Sequence, residues 1–143
     1  MNLSGYWQGT IIYGTDYGPD IEGKELFFEM TLAESDGEFT GIARDTGGFG
    51  NSDDEATVSG FWDKETISFI KKYKSYHEFD EYGNLNKDEN IEPFEINYTG
   101  TFNLEKSLFE GDWEIIIQSE LLADGWGEQY CSGTWTMGRK GAI

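Results

Sequence analysis

Lys71, Lys72 and Lys74 form the only basic cluster in a chain that sets 28 Asp and Glu against 10 Lys and Arg. In an extended segment successive side chains point to opposite faces, so Lys72 and Lys74 share one face and Lys71 and Tyr73 the other. One lysine thus points inward or toward a rim. There it would anchor an anionic ligand or pair with an acid on a neighbouring strand, such as Glu95. The one histidine, His77, sits in Tyr76-His77-Glu78-Phe79 beside Ser75. Ser-His-acid chemistry needs a hydroxyl within reach of the imidazole and an acid behind it; this setting matches no nucleophile arrangement, and His77 reads as a surface residue. Cys131 is the only cysteine, so no internal disulfide forms and a reducing compartment fits. Between Tyr130 and Ser132 in an alternating segment, it reads as a buried thiol.

Paired carboxylates can hydrolyse glycosides, but no spacing singles out one pair among so many acids, and no catalytic residue is assigned. Asp45 and Asp53-Asp54-Glu55 bracket the Gly-rich turn 46–52, the kind of carboxylate cluster a hard cation favours. The spacing fits no EF-hand loop and reads as a solvated acidic turn. One Cys and one His are too few for a zinc site. No metal and no cofactor is expected.

The elements that must position these residues have a period of two. Leu26, Phe28, Met30 and Leu32 alternate with Phe27, Glu29 and Thr31, the pattern of a half-buried strand. The same reading gives strands near 5–14, 24–33, 37–45, 55–63, 65–74, 91–103, 108–121 and 129–139. Most of the connections are too short for a crossover helix, so neighbours pair antiparallel. Glycines within strands, at Gly9, Gly41, Gly60, Gly100, Gly111 and Gly133, favour closure, which removes both free edges. The expected fold is all-β: one domain over residues 1–143, an eight-stranded antiparallel up-and-down barrel. Phe28, Met30, Phe39, Phe69, Lys71, Tyr73, Ile96, Tyr98, Trp113, Ile115 and Trp135 are then the inward set, lining or filling the interior. The longer connections, 14–24 and 75–91, are the expected rim loops, and Trp126, in a hairpin loop, is a candidate contact residue.

Gly5-Tyr6-Trp7 on the first strand and Arg139 at the end of the last resemble the calycin pattern of lipocalins, fatty-acid-binding proteins and avidins. That resemblance implies a barrel sealed at one end by a Trp lying beneath a basic side chain, which makes Trp7 and Arg139 structural. Their cation–π contact would be worth about 1 kcal/mol. Residues 37–41 and Tyr98-Thr99-Gly100 also resemble avidin-like segments, and residues 5–9 resemble the opening of nitrobindin-type haem barrels. The ligands of these families do not carry over. The segment 67–73 lacks the Trp that a biotin site implies. Arg44 and Arg139 are the only arginines and no helical insert is visible, against the fatty-acid-binding pattern. His77 is not in the last strands, where the haem barrels carry their axial ligand. The resemblance implies a fold and leaves the ligand open.

A net charge of −18 makes binding to nucleic acid or to an anionic membrane unfavourable. With 37% hydrophobic and 16% aromatic residues, the chain is too apolar to be a disordered acidic tail. No signal-peptide pattern or membrane-spanning run is visible, and a cytoplasmic location is expected. Two non-catalytic functions follow. One is a barrel that binds a small apolar or amphipathic molecule in or at its mouth. The other is an acidic immunity or antitoxin-type inhibitor of a basic protein such as a nuclease, presenting Asp16, Asp20, Glu22, Asp53, Asp54, Glu55 and Trp126. Acids gathered on one face would favour the second; an even spread would weaken it.

Overall fold

The structure is a computed structural model that describes residues 2–79, 82, 85–88, 94–118 and 128–139. Among these residues ten strands follow in chain order: β1 (Gly5–Tyr13), β2 (Glu25–Ser35), β3 (Glu38–Gly48), β4 (Glu55–Asp63), β5 (Thr66–Tyr73), β6 (Tyr76–Phe79), β7 (Leu85–Asp88), β8 (Glu95–Asn103), β9 (Leu108–Gln118) and β10 (Glu128–Arg139). Eight of them close into an antiparallel barrel. Its order is sequential, from β1 to β5 and then β8 to β10, with β10 returning to pair with β1. The up-and-down barrel expected from the alternation is therefore the observed fold.

The connections differ sharply between the two ends. At one end lie three tight turns, each with one non-glycine residue at positive φ: Asp36 (53°), Lys64 (59°) and Ser107 (56°). At the other end lie the longer links after β1, β3, β5 and β9. The link after β1 holds a single 3-10 turn, Thr15–Tyr17. The link after β5, expected to be a plain loop, contains the β6–β7 hairpin, in which His77 pairs with Lys87. His77 thus lies on a strand. Residues 91–93 and 119–121, which the alternation assigned to strands, fall outside the described residues, as does Trp126.

The tight-turn end is plugged by its own side chains. Leu3 and Trp7 are buried, and Trp7 Nε1 donates to the Leu3 carbonyl at 2.8 Å. The Arg139 guanidinium lies 4.6 Å from the Trp7 ring centroid and donates to the carbonyls of Ser4 and Asn2. Glu34 Oε1 accepts from Trp62 Nε1 at 2.6 Å and from the Leu3 amide at 2.9 Å.

Large rings fill the barrel because glycines on nearby strands make room for them. A Cβ on Gly100 would lie 2.9 Å from the Trp135 ring, and one on Gly133 would lie 2.7 Å from Trp113 Nε1. Each indole therefore rests directly against a neighbouring backbone. Tyr98 stacks on Phe69 at 4.6 Å between centroids, and Trp135 meets both edge-on. Contacts of this kind add about 1 kcal/mol each beyond burial.

Candidate functional site

Alternation along β5 turns Ile67, Phe69 and Lys71 inward and leaves Ile70 outside. Lys71 is thus carried into an apolar interior, where it is 1% exposed. Its ammonium faces three aromatic rings from three strands: Phe28 on β2 at 5.5 Å, Tyr73 on β5 at 5.0 Å and Tyr98 on β8 at 5.3 Å to the ring centroids. On β3 and β4 the inward positions opposite are small: Gly41, Ala43, Ala56 and Val58. They leave the width that the lysine and the rings occupy. Among the described residues no carboxylate lies within ion-pair distance of Lys71 Nζ. Burial lowers its pKa from 10.5 to about 8, with the charge of Asp45 pulling in the opposite direction.

Asp45 reaches this region because it continues the inward face of β3, two residues beyond Ala43 and in line with Phe39 and Gly41. The β2–β3 register shifts between Phe27 and Phe28, pairing them with Gly47 and Asp45, so that Thr46 is the extra residue. The bulge falls just beyond Asp45, which lies across from the inward Phe28. Its carboxylate accepts from the Tyr73 hydroxyl at 2.8 Å and from the Ser52 amide at 3.0 Å. The acidic turn expected from the sequence is thus tied partly to the barrel interior. Burial, followed by the Asp45 charge, raises the pKa values of Tyr73, Tyr98 and Tyr13, and all three stay protonated near neutrality. The buried Tyr98 hydroxyl has no hydrogen-bond partner among the described residues.

Two loop aromatics cover this end of the barrel. Tyr17, on the 3-10 turn, packs edge-on against Tyr13 at 5.0 Å and lies 6.0 Å from Trp113. Phe49 meets Tyr13 at 5.8 Å, and its carbonyl accepts from the Tyr13 hydroxyl at 3.1 Å. The 3-10 turn is fastened to β10 through the Gly14 amide on the Ser132 carbonyl and the Ser132 hydroxyl on Asp16. Cys131 is half-buried beneath Tyr17, less enclosed than expected, and burial raises its thiol pKa. It is therefore a protonated thiol at neutral pH.

The barrel brings together the inward set that alternation identifies. Phe28, Met30, Phe39, Phe69, Lys71, Ile96, Tyr98, Trp113 and Trp135 are buried, with Tyr73 and Ile115 partly so. Asp45, which holds Tyr73, and Ser52, which holds Asp45, were not singled out as interior, because the acids and glycines around them read as a solvated turn even though Asp45 shares the inward face of Ala43. Asp16, Asp20 and Glu22 lie on the link after β1, and Asp53, Asp54 and Glu55 lie at the link after β3, all at the end with the longer connections. Glu55 is engaged by Arg44 at 2.6 Å and by Lys74 at 3.5 Å, and these contacts lower its pKa. The opposite end also carries acids, Glu34, Asp36, Glu38 and Asp63, around a surface depression. A groove of about 870 Å³ crosses the outer face of β2 to β5 past Phe61 and Ile70, on the other side of the wall from Lys71. Compared with family models, curated proteins and solved structures, the chain matches none.

Proposed function

We propose that this barrel is a non-catalytic binding protein for a small, uncharged amphipathic molecule, held in its longer-connection half with the polar end toward Lys71 and Tyr98. The observation that carries this reading is the pair of polar groups left uncompensated inside an apolar barrel: an ammonium with no ion-pair partner and a hydroxyl with no hydrogen-bond partner among the described residues. Buried polar groups are ordinarily satisfied, and a ligand acceptor atom would satisfy these. Asp45 already supplies one negative charge near Lys71, without an ion pair and outweighed by burial, and its field also reaches Tyr98. A second anion would leave net negative charge in a poorly solvated space, which favours a neutral ligand. The Trp7–Arg139 seal is the arrangement implied by the calycin resemblance, and it supports a barrel closed at one end and entered at the other. Entry requires Tyr17 to move aside. The loop that carries it turns through Gly18 and Gly23, at φ of 80° and 83°, where even an added Cβ would touch nothing.

The inhibitor reading draws less support from the layout, because acids occupy both ends of the barrel rather than one face.

Titration with 1-octanol, followed by tryptophan fluorescence, tests the proposal, since Trp113 and Trp135 stand in the interior. The expected result is a saturable change with one site, weakened about tenfold in Tyr98→Phe by loss of one buried hydrogen bond. A wild-type signal that does not saturate, or equal affinity in the two proteins, would contradict it.

A further inference from the structure

Resting on that reading, we infer that the polar end of the ligand is an aldehyde or ketone carbonyl, captured reversibly by Lys71 as an imine. The surroundings of Lys71 differ from those of Lys74 and Lys106 in three respects that bear on this chemistry. It is enclosed by the Phe28, Tyr73 and Tyr98 rings, whereas Lys74 and Lys106 sit at the surface beside carboxylates. It has no carboxylate within ion-pair distance among the described residues. A neutral hydroxyl donor, Tyr98, shares its interior without a partner of its own among the described residues.

A buried amine surrounded by rings is more readily deprotonated than a solvated one, and the free amine is the nucleophile. With a pKa of about 8, a sizeable fraction of Lys71 is unprotonated near neutrality. A carbonyl oxygen accepting from the Tyr98 hydroxyl would be polarised toward attack. The Nζ lone pair then forms the new bond to the carbonyl carbon, and the two amine protons leave with the carbonyl oxygen as one water. The product is a C=N bond with no change in oxidation state. A carboxylate ligand could not take this path and would add charge beside Asp45. Among the described residues, the titratable groups facing this space are Asp45 from β3, Tyr73 from β5, Tyr98 from β8, Tyr13 from β1 and Tyr17 from the 3-10 turn. The tyrosines stay protonated through the range of the test, so the amine dominates its pH dependence.

The full chain is incubated with substoichiometric octanal, treated with cyanoborohydride, which reduces an imine to a stable secondary amine, and then analysed by intact mass and peptide mapping. The expected product carries one octyl group on Lys71. With the carbonyl incubation run at varied pH and the reduction always done briefly at one fixed pH, the amount captured at early times rises about tenfold per pH unit below 8 and levels above it. The adduct is lost in Lys71→Arg, while Tyr98→Phe keeps the Lys71 label but forms it more slowly. Octyl groups distributed over Lys24, Lys64, Lys72, Lys74 and Lys106 with Lys71 unmodified would overturn the inference. If octanol still binds in that case, only covalent capture fails; if octanol does not bind either, the binding reading fails with it.

Discussion

Lys71 shows what a single residue reveals from sequence. The alternation in residues 66–73 places it on the inward face of a strand, and it is inside. Its cage was not legible, because Phe28, Tyr73 and Tyr98 come from three strands that meet only when the barrel closes. Asp45 was hidden for a different reason. It continues the inward face of Phe39, Gly41 and Ala43 along β3, but a carboxylate at the edge of a Gly-rich acidic turn reads as solvated. Tyr98 carries the clearest energetic consequence. Its hydroxyl is buried without a partner among the described residues, so Tyr98→Phe removes an unsatisfied group while keeping the ring that stacks on Phe69. That variant is expected to be more stable than the wild type by about 1 kcal/mol in urea unfolding, although it binds octanol less well. Destabilisation would show that the hydroxyl is satisfied in the folded protein.

Among the elements, the barrel strands were legible because most have one wet and one dry face. The β6–β7 hairpin was not. Tyr76-His77-Glu78-Phe79 and Leu85-Asn86-Lys87-Asp88 show no alternation, and the acids around them read as loop. The positions of the connections follow from antiparallel order: short turns gather at one end and longer links at the other. The closed end depends on the last residue of β10. Arg139 joins the N-terminal segment to the barrel through Trp7 and two main-chain carbonyls. Arg139→Met is expected to lower stability by about 1–2 kcal/mol. It should speed hydrogen exchange at Leu3 and Ser4 while leaving the interior around Lys71 protected. Faster exchange throughout the barrel would show that Arg139 supports more than the seal.

For the whole molecule, charge and core act separately. The acids lie at both ends, whereas the aromatic interior holds one fully enclosed ammonium among the described residues. Composition announced both the charge and the aromatic core, but not that a lysine would be left inside. Lys71 lowers the stability of the fold. The unfolded chain holds its proton up to 10.5 and the folded chain only up to about 8, a difference worth about 3 kcal/mol below pH 8. Between these values the unfolded state binds more protons, so the stability of the wild type rises with pH there. The proposed ligand site would give this destabilising group a use. The most direct measurement is the unfolding free energy of wild type and Lys71→Met at pH 7 and pH 9.5. The account predicts that the Met variant is more stable by about 3 kcal/mol at pH 7, with the gap narrowing by about 2 kcal/mol at pH 9.5. A Met variant that is less stable, or a gap that does not change with pH, would mean that Lys71 is a satisfied structural residue, contradicting the assignment of this interior as a ligand site.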